Sequence, residues 1–244
     1  MNSAFKAAWK PHGVYQPSGD DDWLEARRNL VTASEISTIC GIWGDERIRE
    51  LVIEKLTGER SFKGNLKTRA GSALEPFIWD EIQAGRVDDL DVSLEHTHWN
   101  DGNRLHFGAD RSHGCTPDII EIDKSGPRAL SVWNMKATSY YAKSLPTFYM
   151  RMQVNWEMHV TGALHGGIVA FNIAARPEAF LRAFPVERDS ALINRMVNAA
   201  DAWLAALSGG YSADEMVAEM QAFAIEQPTP VKAKKGKADE PSDF

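Results

Sequence analysis

Cys115–Thr116–Pro117–Asp118–Ile119–Ile120–Glu121–Ile122, followed after a Ser-Gly-Pro turn at 125–127 by Leu130–Ser131–Val132–Trp133–Asn134–Met135–Lys136, is the stretch on which the fold turns. Both halves are short, rich in β-branched and apolar residues and separated by turn formers, which predicts a hairpin of two strands. Asp118 opens the first strand. Asn134 and Lys136 stand two apart near the end of the second, and that spacing puts both side chains on one face. A carboxylate, an amide oxygen and an ammonium are therefore expected at one point. Metal-assisted hydrolysis of a phosphodiester uses such a group: carboxylate oxygens hold Mg²⁺, which polarises the phosphate and acidifies a bound water, while a lysine orients that water or stabilises developing charge. The hairpin alone also fits a surface ribbon carrying a chance Asp and Lys.

Working outward, Pro11, Gly13, Pro17 and Gly19 mark residues 1–20 as an irregular lead-in. Asp20–Asp21–Asp22 before Trp23–Leu24–Glu25–Ala26–Arg27–Arg28 predict a short helix with acids at its start. Thr32 and Glu35 have the spacing of a capping box, so Thr32 is assigned to capping a helix that runs to about Cys40 and stops at Gly41 and Gly44. Helices are expected over 46–57, 66–84, 147–161, 188–207 and 212–224. Strands are expected at Val92–Trp99, Leu105–Gly108, Asp118–Ile122, Ala129–Lys136 and Gly167–Asn172, with an Asn-Asp-Gly turn at 100–102. From Gln227 the chain is polar, with prolines, lysines and a final acidic stretch, and is expected to be a disordered tail. Residues 1–226 are read as one domain of α/β class, a mixed, twisted central sheet flanked by helices.

Composition bounds the possibilities more loosely. The chain has 244 residues, 43% hydrophobic and 25% charged, with a net charge of −7. That suits a packed domain and argues mildly against indiscriminate nucleic-acid binding, since phosphate contacts need local Lys and Arg. No apolar run approaches a membrane span, and the N-terminus lacks a signal peptide, so a cytoplasmic protein with no membrane partner is expected. Cys40 and Cys115 form no CxxC pair, and two thiols without His partners cannot build a structural zinc site. His96 and His98 alternate along an expected strand, either as metal ligands or as part of a plain polar face.

Five ordered segments carry a family resemblance over residues 20–175: Trp23-x-x-x-Arg27 with Val31–Thr32–Ala33–Ser34–Glu35; Gly71-x-x-x-Glu75–Pro76; Thr116–Pro117–Asp118; Trp133–Asn134–Met135–Lys136; and Gln153–Val154–Asn155. Together they resemble the lambda-exonuclease (YqaJ-type) viral recombinases, a branch of the PD-(D/E)xK nucleases with a restriction-endonuclease-like fold. The resemblance implies that Asp118 is the central metal ligand. It implies that Glu75 reaches in from its helix, that Lys136 is the catalytic lysine and that the Met135 carbonyl faces the metal. It assigns Arg27, Ser34, Thr116 and Gln153 to the 5′-phosphate of the strand being degraded. Those residue types suit the task, being a guanidinium, two hydroxyls and an amide. Blander readings stay open: Glu75 as an exposed helix acid, Ser34 serving only its own helix start, Arg27 in a surface ion pair. Asp110 is a weaker accessory carboxylate.

The sequence departs from the pattern at Asn134, where the family has Asp or Glu, and around Gln153, where Met150 and Asn155 replace a Tyr and a Gln. An amide at 134 offers the ion a neutral oxygen in place of a charged one. Two explanations compete, an engineered Asp→Asn exchange and a natural loss of activity. The implied function is Mg²⁺-dependent (Mn²⁺ as substitute) 5′→3′ exonuclease action on double-stranded DNA ends. The resemblance further implies a phage or prophage origin, a homotrimeric ring and a single-strand annealing protein as partner. The rivals are a non-cleaving DNA-end-binding protein, a structural phage protein and an endonuclease.

Overall fold

In the computed structural model, residues 13–58, 66–100, 104–108, 111–124, 128–138, 145–172 and 181–227 are described. Asp110, residues 101 and 102 of the first expected turn, the 125–127 turn and the tail from 228 onward lie outside them. The helices are α1 (Asp20–Arg27), α2 (Ile36–Ile39), α3 (Asp45–Thr57), α4 (Leu66–Gln83), α5 (Phe148–Thr161), α6 (Ser190–Ser208) and α7 (Ala213–Gln221). The strands are β1 (Val14–Tyr15), β2 (Val31–Thr32), β3 (Thr97–Trp99), β4 (Leu105–Phe107), β5 (His113–Cys115), β6 (Ile119–Ile122), β7 (Ala129–Thr138), β8 (His165–Asn172) and β9 (Leu181–Pro185).

The hairpin predicted from sequence is the heart of a mixed five-stranded sheet ordered β3-β6-β7-β8-β9. β6 and β7 pair antiparallel, with Ile119 opposite Trp133 and Glu121 opposite Ser131. β7 then runs parallel to β8 from Ser131↔His165 to Thr138↔Asn172. Parallel neighbours need a crossover, and α5 lies between the two strands in sequence to supply it. A second sheet, ordered β1-β4-β5-β2, is built of strands two or three residues long.

Helices cover both faces of the larger sheet. Ile78 and Ile82 of α4 pack with Trp133, Met135 and Val169. Met150, Val154 and Met158 of α5 pack on the other face with Val132, Ile168 and Ala170. The opposite side of α5, Met152, Trp156 and Val160, is buried in a helical layer with Ile36, Leu51 and Trp203. Each large apolar side chain removed from water there contributes roughly 1.5–3 kcal/mol. Gly166 permits the close seating of α5: a Cβ at that position would stand 2.7 Å from the Val132 carbonyl oxygen and 2.9 Å from Val154 Cγ1.

Three expectations change. Only Thr97–Trp99 of the 92–99 segment is strand. A 3-10 turn occupies Leu94–His96, where the Ser93 carbonyl accepts from the His96 N–H and the Thr97 hydroxyl, so His96 and His98 do not share a strand face. Thr32 does not cap a helix with its hydroxyl. It lies in β2, parallel to β5, and α2 begins only at Ile36. Half of the expected box survives, since Glu35 Oε2 accepts from the Thr32 N–H at 3.0 Å. Finally, Val14–Tyr15 (within the expected irregular lead-in), His113–Cys115 and Leu181–Pro185 are strands that no expectation covered.

Cys40 and Cys115 are buried and unbonded. Among the described residues no helix is long and apolar enough to cross a membrane.

Candidate active site

Alternation along β7 decides which side chains can meet. Trp133 and Met135 point towards α4, Val132 towards α5, and the period of two puts Asn134 on the α5 side. On α5, residues four apart share a face. Gln153 and Glu157 form such a pair, on a stripe between the helix's two apolar faces. They converge on Asn134: its Nδ2 donates to Glu157 Oε2 at 2.6 Å, and Gln153 Nε2 donates to Asn134 Oδ1 at 2.9 Å and to Glu157 Oε1 at 3.2 Å. Glu157 is fully buried, and so is Asn134 apart from 1% of its surface.

Asp118 precedes β6 directly. Its Oδ2 accepts the Met135 backbone N–H at 2.7 Å, and its own carbonyl accepts from the Asn100 N–H at 2.8 Å. The carboxylate is thus held by β7, and the Asp118 backbone by the residue that follows β3. Burial raises its proton affinity, and the nearby Lys136 ammonium and the Met135 N–H oppose that rise. Burial also pushes Glu75 up, with the Asp118 charge adding to it and Lys136 opposing. Glu75 stands three residues before Ile78 and seven before Ile82 on α4, so anchoring that face on the sheet presents Glu75 at the same end of β7. The Glu157 carboxyl is pushed up to about 8, first by burial and then by Asp118, with Lys136, Gln153 and Asn134 working against the rise. Three acids therefore feel one lysine, and Asp118 is the centre that the other two share.

Among the described residues, no three His, Cys, Asp or Glu side chains form a ready-made metal cage. The donor set still suits Mg²⁺. All its donors are hard oxygens, and Mg²⁺ usually takes one or two protein carboxylates and completes its shell with water and substrate phosphate. Clustered acids with little cationic compensation are the electrostatic counterpart of such a site.

A second cluster lies where α1 meets β2. Arg27 Nη2 donates to Thr32 Oγ1 at 2.9 Å, to Ser34 Oγ at 3.0 Å and to Glu35 Oε1 at 3.2 Å. Its guanidinium lies 4.1 Å from the centre of the Trp23 ring. Lys55, almost buried on α3, donates to Glu35 Oε2 at 2.9 Å and to the carbonyls of Arg27 and Leu30, each at 2.7 Å. Burial would raise the Glu35 carboxyl, but Lys55 and Arg27 outweigh it and hold the group below its ordinary value. A cleft here is lined by Arg27, Arg28, Glu35 and Lys55. Three cations, Arg27, Arg28 and Lys55, stand there against two acids, Glu35 and Glu54, with the exposed Ser34 hydroxyl beside Arg27.

The residues singled out from sequence therefore separate into groups. Asp118, Asn134, the Met135 backbone and Lys136 come together, with Glu75 within electrostatic reach. Arg27 and Ser34 touch each other. Gln153 joins Asn134 and Glu157. Thr116, partly exposed in the link between β5 and Asp118, makes no side-chain hydrogen bond among the described residues. Of the blander readings, the ion pair of Arg27 with an acid is present, to Glu35, and the same guanidinium also donates to Ser34. Glu157 escaped the sequence reading. The available signal was an acid four residues from Gln153 in a helix whose neighbouring positions, Trp156 and Met158, are apolar.

The sequence profile described as "YqaJ-like viral recombinase domain" matches residues 22–164. Among solved structures, an alkaline exonuclease (LHK-Exo) from Laribacter hongkongensis is similar at a TM-score of 0.60 and 19% identity, over 84% of this chain and 100% of that one. LHK-Exo in complex with dAMP is similar at 0.58, with the same identity and coverage. These likenesses are of fold. No curated protein matches the chain.

Proposed function

Because this chain belongs to the YqaJ-like viral recombinase family, we propose that it is a divalent-metal-dependent deoxyribonuclease that degrades linear duplex DNA from its ends, 5′ to 3′, leaving 3′ single strands for recombination. The observation that carries this reading is the meeting of Asp118, Lys136 and the Asn134–Glu157 pair at one end of β7, with Glu75 in reach. The fold shared with an alkaline exonuclease, and that enzyme's complex with dAMP, support DNA as the substrate and a mononucleotide as the product.

Asp118, Asn134 and Glu75 would hold Mg²⁺ (or Mn²⁺), with the Met135 carbonyl as a further donor. Bound there, the ion would polarise the scissile phosphate and acidify a water. The Met135 N–H fixes the rotamer of Asp118, so its orientation is set before substrate arrives. Lys136 stabilises charge that builds on the phosphate. Arg27 and Ser34 bind the terminal 5′-phosphate, and the Lys55–Glu35 pair keeps the Arg27 loop in place. Thr116 and Gln153 add further donors for the same 5′-phosphate. The protein acts as a homo-oligomer, a ring of three around DNA, beside a single-strand annealing partner. Its setting is a phage or prophage in the bacterial cytoplasm.

The test is digestion of a linear duplex blocked with phosphorothioates at its 5′ or its 3′ ends, alongside a covalently closed circle. The proposal expects Mg²⁺-dependent degradation that only 5′ blocks arrest, with the circle untouched. Nicking of the circle would make the protein an endonuclease. Tight end binding without degradation would make it an end-binding protein.

A further inference from the structure

Glu157 is an acid in a place that offers an acid nothing unless it has work to do. It is wholly buried, and its neighbours along α5 (Val154, Trp156, Met158) are buried apolar side chains. Its hydrogen-bond partners are two neutral amides, those of Asn134 and Gln153. Among the described residues no Lys or Arg forms an ion pair with it. Taking a carboxylate out of water costs several kcal/mol, which the Lys136 charge offsets only in part, and a Gln or Met of similar size would fill the space without that cost.

We propose that Glu157 carries the metal-binding carboxylate that position 134 lacks, delivered from helix α5 to the place where the family's strand acid would lie. Three observations on the geometry support the exchange. Glu157 Oε2 is 2.6 Å from the Asn134 amide, so the two terminal groups occupy one locality. Glu157 interacts electrostatically with both Asp118 and Lys136, the other members of the site. And the pairing is reciprocal: an acid at 134 would meet Glu157 as carboxylate against carboxylate, whereas an amide supplies the N–H that Glu157 needs. Asn134 is therefore the matched partner of a relocated acid and not a lesion. Gly166 makes the relocation possible by letting α5 lie close on β7 and β8.

This inference rests on the proposed metal-dependent nuclease reading, and the experiment separates the two. Mn²⁺ binding to the full chain is measured by titration calorimetry, and by loss of the free-ion electron paramagnetic resonance signal, for the unaltered protein, Asp118→Asn, Glu157→Gln and Asn134→Asp/Glu157→Gln. The expected result is that Glu157→Gln weakens Mn²⁺ binding by about tenfold or more, as Asp118→Asn does. The double variant, with the acid returned to the strand, should recover binding to within about threefold of the unaltered chain. If Glu157→Gln binds like the unaltered chain while Asp118→Asn does not, Glu157 is not a ligand and the nuclease reading survives. If Asp118→Asn makes no difference either, the metal site itself is wrong and both readings fall. Should Glu157→Gln not fold, the double variant decides: Mn²⁺ binding by it supports the exchange, and a folded double variant that binds no Mn²⁺ overturns it.

Discussion

Asn134 and Glu157 are joined by a 2.6 Å hydrogen bond from amide to carboxylate, linking the central strand to the helix that crosses over it. Replacing Asn134 with Asp alone would set two acids against each other in a buried site. Both cannot ionise there, and the broken pair costs about 2–4 kcal/mol. Asn134→Asp should lower the urea midpoint at pH 8 and leave nuclease activity no higher than that of the unaltered chain. A large gain in activity from this single change would mean that Asn134 is a lesion after all.

Stability should depend on pH through Glu157 when no divalent ion is present. Burial and Asp118 push its carboxyl from 4.5 to about 8, so the folded protein keeps a proton that the unfolded chain releases. The contribution is complete below the lower value and is lost as pH rises towards the upper one, so stability falls across that interval. Thermal melts in EDTA at about pH 5, 6.5 and 8 should show Tm declining, and Glu157→Gln should flatten the trend. A Tm that rises over this range in the unaltered chain would contradict the assignment.

Gly166 is where sequence, packing and site meet. A methyl group there collides with backbone at 2.7 Å, and the Val132 carbonyl has no rotamer by which to escape. Gly166→Ala should destabilise the fold by about 1–3 kcal/mol in urea titration. It should also reduce nuclease activity more than an equally destabilising change on α7, because it lifts Gln153 and Glu157 away from Asn134.

Arg27→Lys keeps the charge but removes the guanidinium Nη2 that donates to Ser34, Thr32 and Glu35. The preference for 5′-phosphorylated over 5′-hydroxyl ends should fall by about tenfold, the loss of one charge-assisted hydrogen bond. Rates on 5′-hydroxyl ends should stay within about twofold, since those ends do not use that bond. Equal slowing on both ends would assign Arg27 to holding the fold alone.

Periodicity explains what was legible in the sequence. β6, β7 and α5 are long enough for a period of two or of three to four residues to emerge, and the turn between the strands is marked by its own residues. Two-residue strands such as Val31–Thr32 have no period, and Thr32 with Glu35 imitates a helix start because Glu35 does bind the Thr32 N–H. The pairing of Asn134 with Glu157 was hidden for another reason. It joins residues 23 apart across a helix crossover, and only the packing of α5 on the sheet reveals that they touch. Asp118 and Lys136 could be read locally. The acid that completes their site could not.

The most direct measurement is the release of acid-soluble nucleotide from a linear, 5′-phosphorylated duplex in Mg²⁺, comparing the unaltered chain with Asp118→Asn. Sustained release by the unaltered chain, abolished by EDTA and reduced at least about 10³-fold in Asp118→Asn, is the predicted result. No release by either protein, or equal release by both, would contradict the claim that a metal-dependent nuclease site is built around Asp118.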